Sequence, residues 1–175
     1  LFKHLSIIPT IYSLSYAEKM ERLCNKEQIE LPFHYKINTG MNRFGSDYEI
    51  AITLLNKIEK ECPHLKCEGL FTHLADSENS NSQFTKEQME KFKVILPKLK
   101  PENKIVHAAN SGGIINYPES HFDMVRPGLL LYENALSLST TILHIRHVKK
   151  ARRGLRALIF LQLTREGDKL KLFSL

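Results

Sequence analysis

The sequence predicts an α/β fold in which β-strands and α-helices alternate along the chain. Apolar and β-branched runs recur, and each run is followed by a segment whose apolar residues return at helical spacing. Serial units of one strand and one helix build a parallel sheet with right-handed crossovers and helices packed outside it. Polar residues cluster where several predicted strands end, which favours an incomplete barrel of about five parallel strands over an open sheet.

Each predicted unit has a strand signal and a helix start. Residues 6–13 form a β-branched and aromatic run, in which Pro9 indicates an irregular edge. The segment Ser15-Tyr16-Ala17-Glu18 has the Ser-x-x-Glu form of a capping box and predicts the start of the first helix. Further strands are predicted at residues 33–37, 69–74, 104–109 and 124–132, and further helices begin at residues 46–49 and 85–88.

Length and composition limit the classes of protein that fit. The 175 residues have room for one domain but not for a complete barrel, which typically needs about 250. No apolar run is long enough to cross a bilayer, and the first residues lack the layout of a signal peptide. Cys24, Cys62 and Cys67 are odd in number, which favours reduced thiols. We therefore expect a cytoplasmic protein without a membrane span. Leu1, in place of an initiator methionine, predicts a start inside a longer protein or at an unusual start codon.

The net charge of +6 is concentrated at the end of the chain. From His144 onward nine Lys and Arg residues stand against Glu166 and Asp168, so the preceding residues are nearly neutral. The basic excess therefore belongs to the tail and carries no information about a binding site in the body of the chain.

Two strand ends carry a candidate anion site. The segment Asn110-Ser111-Gly112-Gly113 predicts a helix start with free backbone N–H groups, and glycine lets the main chain approach an anion closely. Arg126 stands directly before Pro127-Gly128 and supplies a permanent cation for a carboxylate, a phosphate or a ring nitrogen. The residues expected to converge at the carboxyl ends of the strands are Lys36, Thr39, Arg43, His73, Asn110, Ser111 and Arg126.

Four segments of the chain resemble the alanine racemases, which use pyridoxal phosphate. They run from Tyr35 to Gly45, Gly69 to Ala75, His107 to Ser111 and Phe122 to Tyr132, in the order of the family. The resemblance covers residues 6–148 and implies the fourth to eighth strands of a (β/α)8 TIM barrel, without the first three.

The same resemblance implies two domains. Residues 1–136 would form a partial barrel domain that binds pyridoxal phosphate. Residues 137–175 would hold the start of the C-terminal β-domain, with a strand over 140–150, and then a divergent basic tail.

The resemblance also implies which residues bind the cofactor. Asn110, Ser111, Gly128 and Leu129 match the segments that hold the phosphate, and Arg126 matches the arginine that meets the pyridine nitrogen. Because arginine stays protonated at working pH, it would keep that nitrogen unprotonated and restrain the cofactor as an electron sink. That restraint favours return of the α-proton over side reactions.

Three further residues match family positions around the substrate and the arginine. His73 matches a histidine that supports the arginine, Arg43 matches a residue near the substrate carboxylate, and Lys36 matches a lysine that is carbamylated in many members. Asn38 departs from the family, which usually has aspartate in this Thr-Gly-Met motif. The local charge balance therefore differs from that of the family.

The resemblance predicts an isomerase that interconverts L-alanine and D-alanine for peptidoglycan precursors, as a homodimer in the intact protein. The family's Schiff-base lysine lies in a Lys-Ala-Asn-Ala-Tyr-Gly-type motif, and its opposite-face tyrosine lies in a Gly-Tyr-x-Asp-Gly-type motif across the dimer interface. Neither motif occurs in these residues. We expect the isolated chain to be inactive, because general acid–base groups contribute about 10²- to 10⁴-fold each.

Two other functions fit parts of the sequence. A metal-dependent barrel hydrolase would use His73, His107, His121 and Asp123 as ligands, although no paired His-x-His motif is present. A non-enzymatic module would bind nucleic acid or an acidic surface through the basic tail, but the tail lacks interleaved aromatic residues and the body is neutral. No nucleic acid and no membrane is therefore expected as a partner.

Overall fold

Five parallel strands form the sheet of the first part of the chain. The computed structural model describes residues 7–132, 164–166 and 169–171, and the chain divides into the units Leu1–Leu136 and Ser137–Leu175. In the first unit the strands are β1 (Thr10–Ile11), β2 (Leu31–Asn38), β3 (Ser46–Asp47), β4 (Leu65–Phe71) and β5 (Ile105–His107). Their order is β1-β2-β4-β5, β3 pairs with the end of β2, and all pairs are parallel.

Four α-helices follow the strands. They are α1 (Leu14–Glu27), α2 (Ala51–Glu61), α3 (Gln83–Ile95) and α4 (Ser111–Asn116). Short 3-10 helices lie at Tyr48–Ile50, Leu96–Leu99, Pro118–Ser120 and Leu129–Tyr132. This alternation of parallel strands and helices confirms the predicted α/β class and is the arrangement of a partial (β/α) barrel.

The side chains of β2 divide between two faces of the sheet. Leu31, Phe33, Tyr35 and Ile37 are buried in one apolar core with α1, α2 and α3. Successive side chains of a strand point to opposite faces, so His34 and Lys36 lie on the other face, which we call the inner face. The helices therefore cover the core face of the sheet, and the inner face carries polar side chains.

An irregularity interrupts the pairing of β2 with β4. Phe33 pairs with Cys67, but His34 pairs with Gly69, so the register shifts between Phe33 and His34. The extra β4 residue at this position is Glu68. A glycine, rather than a residue with a side chain, therefore lies beside His34.

Two predicted helix caps are wrong by a few residues. Helix α1 begins after Ser13, whose Oγ accepts from Tyr16 N–H at 3.4 Å, and not at Ser15. Helix α3 begins after Ser82, whose Oγ accepts from Thr85 N–H at 3.1 Å, and not at Thr85. Ser13 and Ser82 have the extended backbone that an N-cap requires, with ψ of 149° and 113°. The caps depend on backbone conformation, which the Ser-x-x-Glu pattern does not determine.

Two other predicted elements take a different form. Residues 46–49 were expected to open a helix, but Ser46–Asp47 is strand β3 and helix α2 begins only at Ala51. Residues 124–132 were expected to form a strand, but Met124 makes a single parallel bridge to His107 and Leu129–Tyr132 is a 3-10 helix. Pro127 explains the second difference, because proline has no N–H group for a strand ladder.

The second unit is described as one short hairpin. Strands β6 (Thr164–Glu166) and β7 (Lys169–Lys171) pair antiparallel, with Arg165 opposite Leu170. The strand predicted over residues 140–150 lies outside the described residues. Within the part of the chain that the structure describes, no helix has the length and apolar character needed to span a membrane.

Candidate active site

Arg126 is held where β4 and β5 end. Its Nη2 donates to Thr72 O at 2.8 Å and to Ala108 O at 3.0 Å, and its Nη1 donates to His107 Nδ1. The Arg126 backbone N–H also donates to Ala109 O at 2.9 Å. Three acceptors therefore fix the guanidinium at the carboxyl ends of two neighbouring strands, the edge where ligands bind in parallel α/β folds.

The Arg126 guanidinium remains a cation in this setting. Burial lowers its pKa to about 10, which is still well above neutral pH. Its Cζ lies 5.2 Å from the centroid of the Phe71 ring, within the range of a cation–π interaction. The site therefore offers a fixed positive charge to an anion or to a ring nitrogen.

His107 is the histidine that supports Arg126. Its ring is buried, stacks on Phe71 with centroids 4.6 Å apart, and places Nε2 2.9 Å from His34 Nδ1. Burial, Arg126 and His34 together lower the pKa of His107 to about 3, so the imidazole is neutral. The family resemblance implies His73 for this support and the metal-site hypothesis uses His107 as a ligand, whereas in the structure His107 is the ring that contacts Arg126.

His73 takes a different place. It lies two residues past the end of β4, and its carbonyl accepts from Gln88 Nε2 at 3.0 Å. Burial, followed by the charges of Arg126, Lys36 and Arg43, lowers the pKa of its ring to about 4. His73 is therefore a neutral ring within the field of three cations.

Ser111 joins the two segments that were predicted to hold a phosphate. Its Oγ accepts from Gly128 N–H at 2.9 Å and from Leu130 N–H at 3.1 Å, so its own hydrogen is free to donate. The Leu129 N–H between them has no acceptor among the described residues. Among the described residues, a Cβ built on Gly128 would have only Ser111 Oγ near it, at 3.8 Å, so these residues leave the space above this loop open. Hydroxyl and amide donors around an open space fit a phosphate.

The glycines of the Asn110 segment have a role that the sequence analysis did not predict. Asn110 caps α4, because its Oδ1 accepts from Gly113 N–H at 3.1 Å, so this N–H is not free for an anion. A Cβ on Gly112 would lie 2.7 Å from Glu78 N and from Ser77 C. Gly112 therefore permits close packing of α4 on the Ser77 loop, and not the approach of an anion.

Lys36 faces a cavity of about 390 Å³ at the inner face. The cavity is lined by Thr10, Tyr12, Tyr16, Lys36, Phe44 and Phe71. Burial lowers the pKa of Lys36, and the charges of Arg43 and Arg126 lower it further. None of the ion pairs among the described residues includes Lys36, Arg43 or Arg126. The inner face is therefore a positively charged surface suited to an anionic ligand.

Asn38 organises the turn that carries Arg43. Its Oδ1 accepts from Gly40 N–H at 3.1 Å and from Asn42 N–H at 3.0 Å. The turn closes at Gly45, whose φ of 136° is disfavoured for other residues and whose Cβ would lie 2.7 Å from Asn38 N. The Asn38 amide oxygen accepts the same turn hydrogen bonds that an aspartate carboxylate would accept, but it carries no negative charge.

A network of buried polar side chains, which the sequence patterns do not predict, lies beneath the site. Thr72 donates to Ile37 O at 2.9 Å, and Thr39 Oγ1 lies 2.7 Å from Thr72 Oγ1. Gln88 on α3 donates to Thr39 and His73 and accepts from Ala75 N–H at 2.9 Å. The only sequence signal for this role is a glutamine within the apolar stripe of α3, where a polar side chain needs buried partners.

The residues of the metal-site hypothesis do not come together. His121 Nε2 lies 3.1 Å from Ile114 O, and Asp123 Oδ2 accepts from Val106 N–H at 2.8 Å. No group of three or more His, Cys, Asp or Glu residues suited to a metal ion occurs in the described ranges. The metal-dependent hydrolase is therefore not supported by the arrangement of these side chains.

Fold and site together define a class of protein. A parallel strand and helix repeat, with a fixed arginine and an open anion loop at the strand ends, is the ligand-binding part of a (β/α) barrel enzyme. The chain belongs to the family described as alanine racemase, N-terminal domain, whose sequence profile matches residues 1–135.

Individual relatives agree with this assignment. The chain is 40% identical over 130 residues to alanine racemase 2 of Clostridium acetobutylicum, a match that covers 73% of this chain and 33% of the relative. The solved structure of the alanine racemase of Clostridium difficile 630 matches with a TM-score of 0.67 and 30% identity, over 72% of this chain and 33% of that chain.

A second solved structure includes a cofactor. The alanine racemase of Bartonella henselae, with covalently bound pyridoxal phosphate, matches with a TM-score of 0.62 and 31% identity. This match covers 75% of the present chain and 37% of the Bartonella chain. The chain therefore spans about a third of the length of the relatives it matches.

Proposed function

We propose that this chain is the cofactor-binding part of an alanine racemase, an isomerase that interconverts L-alanine and D-alanine with pyridoxal phosphate. The convergence of Ser111, Gly128 and Arg126 at the strand ends carries the proposal, since an open anion loop lies next to a fixed cation. The 40% identity to a named alanine racemase supports the reaction, and the bound cofactor of the Bartonella relative supports pyridoxal phosphate.

The described side chains fit this cofactor. When bound, pyridoxal phosphate spreads the charge that remains after the α-proton of an amino acid is removed. Ser111 would hold the phosphate through its O–H and Leu129 through its N–H, whereas the Gly128 N–H already donates to Ser111 Oγ, so Gly128 would line the phosphate site without donating. Asn110 fixes Ser111 as the first residue of α4. Arg126 would meet the pyridine nitrogen and, as a permanent cation, leave that nitrogen without a proton.

The inner face would receive the substrate alanine. Arg43 would attract the substrate carboxylate, and the neutral His73 would add no competing charge. The lowered pKa of Lys36 increases the share of its neutral amine at a given pH, and that amine is the form that carbamylation requires. A carbamate at Lys36 would supply the negative charge that Asn38 lacks and would orient Arg43.

The proposal includes the organisation of the intact protein. Residues 1–136 would be the cofactor-binding domain and residues 137–175 the start of a C-terminal β-domain in a homodimer. Cys24, Cys62 and Cys67 are free thiols, as expected in the reducing cytoplasm, where D-alanine is required for peptidoglycan precursors.

Binding of pyridoxine 5′-phosphate tests the site. This ligand has the ring and the phosphate but no aldehyde, so it cannot react with surface lysines. We expect weak, reversible binding in calorimetry, and about tenfold weaker binding for Ser111→Ala because one hydrogen bond to a charged group is lost. Ser80→Ala, at an exposed position, is the matched control. Equal affinity of wild type and Ser111→Ala would refute the phosphate site.

Racemisation is the second test. Neither motif that bears the family's proton-transfer groups occurs in these 175 residues, so the chain alone should show no turnover in an assay coupled to D-amino-acid oxidase. Activity is expected once the chain is joined to segments that supply the lysine and the tyrosine. Turnover by the isolated chain above the rate of free cofactor would contradict this expectation.

A further inference from the structure

Two histidines pair beside Arg126 on the inner face of the sheet. His34 lies on β2 and His107 on β5, with β4 between them, yet His34 Nδ1 is 2.9 Å from His107 Nε2. Both rings contact Phe71 of β4, with the His107 ring stacked at 4.6 Å and the His34 ring edge-on at 6.5 Å. The function proposed above gives His34 no role.

Arg126 determines the direction of these hydrogen bonds. A guanidinium can only donate, so His107 Nδ1 accepts from Arg126 and carries no proton. The proton of neutral His107 is therefore on Nε2, and Nε2–H donates to His34 Nδ1. By the same argument the proton of neutral His34 is on its Nε2. The three side chains form a chain of donors that runs from Arg126 to His34.

The chain of hydrogen bonds from Arg126 to His34 ends in an unpaired donor, His34 Nε2–H. His34 Nε2 is buried and has no hydrogen-bond partner among the described residues. An unpaired buried donor costs free energy, so the fold keeps His34 at this position at a cost. The hydrogen bond that His34 Nδ1 accepts from His107 Nε2–H offsets this cost.

Gly69 makes room for the His34 ring. A Cβ built on Gly69 would lie 2.5 Å from His34 Cδ2 and 2.6 Å from both Cγ and Nε2. The register shift between Phe33 and His34 is what places Gly69 beside the ring. A side chain at residue 69 would therefore displace the imidazole from His107 without changing any ionisable group.

We propose that His34 is a positioning residue for Arg126, because it accepts from His107 Nε2–H and so holds the imidazole that holds the guanidinium. Burial opposes protonation of His34 and lowers its pKa, the Glu68 carboxylate acts in the opposite direction, and the charge of Arg126 adds a smaller lowering. The hydrogen-bond chain stands on the described geometry alone. Any effect of His34 on the pyridine nitrogen of the cofactor, which Arg126 would meet, rests on the proposed function.

Nitrogen NMR of the ¹⁵N-histidine-labelled and ¹⁵N-arginine-labelled 175-residue chain tests the proposal. We expect a pyridine-type Nδ1 and a pyrrole-type Nε2 on both rings, a slowly exchanging His107 Nε2–H, and resolved Arg126 Nη resonances. His34→Phe and Gly69→Ala should each speed exchange of the His107 Nε2–H by about tenfold. In both variants the Arg126 Nη resonances should merge into one averaged signal, because the guanidinium is no longer held in one orientation. His34→Gln, whose amide oxygen can accept, should preserve them.

Lys66→Ala is the matched control, since Lys66 is an exposed residue of β4 away from the imidazole pair. A wild-type spectrum with a pyrrole-type His107 Nδ1 would overturn the proposal. Unchanged exchange and unchanged Arg126 resonances in both His34→Phe and Gly69→Ala would overturn it as well. Because two variants disturb the same contact by different means, failure of one to fold leaves the other decisive.

Calorimetry with pyridoxine 5′-phosphate separates this proposal from the proposed function. If the wild-type NMR pattern is present but the ligand does not bind, the cofactor site fails and the role of His34 stands. If the ligand binds, we expect about tenfold weaker binding for His34→Phe than for Lys66→Ala. Equal binding by those two variants, together with equal spectra, would refute the role of His34 and leave the cofactor site intact.

Discussion

Individual side chains were predicted with unequal success. The position of Arg126 directly before Pro127 was sufficient to predict a fixed cation, because proline restricts the backbone of the residue that precedes it. The partner of Arg126 was not predictable, since His73 and His107 both lie near strand ends. Which of the two rings contacts the guanidinium depends on strand register and rotamer, and neither can be read from spacing.

The buried histidines predict loss of stability in acid. The folded-state pKa values of His107 and His73 are lowered to about 3 and about 4, whereas the ordinary value is 6.5. Below pH 6.5 the unfolded chain therefore binds protons that the folded chain does not, and the free energy of unfolding falls as pH falls toward those values.

Urea denaturation at several pH values between 7.5 and 5 measures this effect. His73→Gln removes one of the titrating groups and should show a smaller loss of stability over the same range. Lys66→Ala should retain the full pH dependence of the wild type. A free energy of unfolding that stays constant from pH 7.5 to 5 would show that these histidines are not buried in neutral form.

Whole elements were more predictable than their ends. Apolar periodicity predicts strands β2 and β4 and helices α1 and α3, because the spacing of apolar residues indicates which face of each element is buried. Helix starts were misplaced because several Ser and Thr residues precede each helix, and any of them can cap. The last residue with an extended backbone before the helix becomes the cap, and the packing of the preceding loop decides which residue that is.

Ser82 provides a test of this choice. Ser82 is buried and accepts from Thr85 N–H, so Ser82→Ala leaves that donor unpaired and should lower the free energy of unfolding by about 1 kcal/mol. Ser80→Ala, two residues earlier and exposed, should change it by less than about 0.5 kcal/mol. Equal effects of the two substitutions in chemical denaturation would argue against Ser82 as the cap of α3.

For the molecule as a whole, the sequence predicts the α/β class and an apolar surface along the open edge of the sheet, but not which side chains form that surface. Serial strand and helix units gave the correct α/β architecture, and the incomplete strand order leaves apolar side chains exposed in the first unit. Ile105 lies on the same face of β5 as His107 and is 43% exposed. Sequence alone cannot show this exposure, because a buried and an unpaired strand have the same apolar pattern.

Ile105 tests whether this face behaves as an open surface. Ile105→Thr should lower the fluorescence of a hydrophobic dye bound to the chain, while the free energy of unfolding changes by no more than about 0.5 kcal/mol. Ile115→Thr makes the same chemical change on α4, at a residue that is 62% exposed but away from this strand. The dye signal should be unchanged in that variant. A similar decrease for both variants would mean that exposure alone, and not this face, binds the dye.

The register shift in β4 also decides which chemical group borders the two imidazoles. Uninterrupted pairing would set Glu68, and not Gly69, opposite His34. A carboxylate there would accept a hydrogen bond from His34 Nε2–H, and its negative charge would favour the doubly protonated imidazolium. A protonated His34 could no longer accept from His107, and because Arg126 can only donate, the hydrogen-bond chain from Arg126 to His34 would be broken. The extra residue Glu68 in β4 thus keeps the carboxylate away from the imidazole pair and leaves both rings neutral.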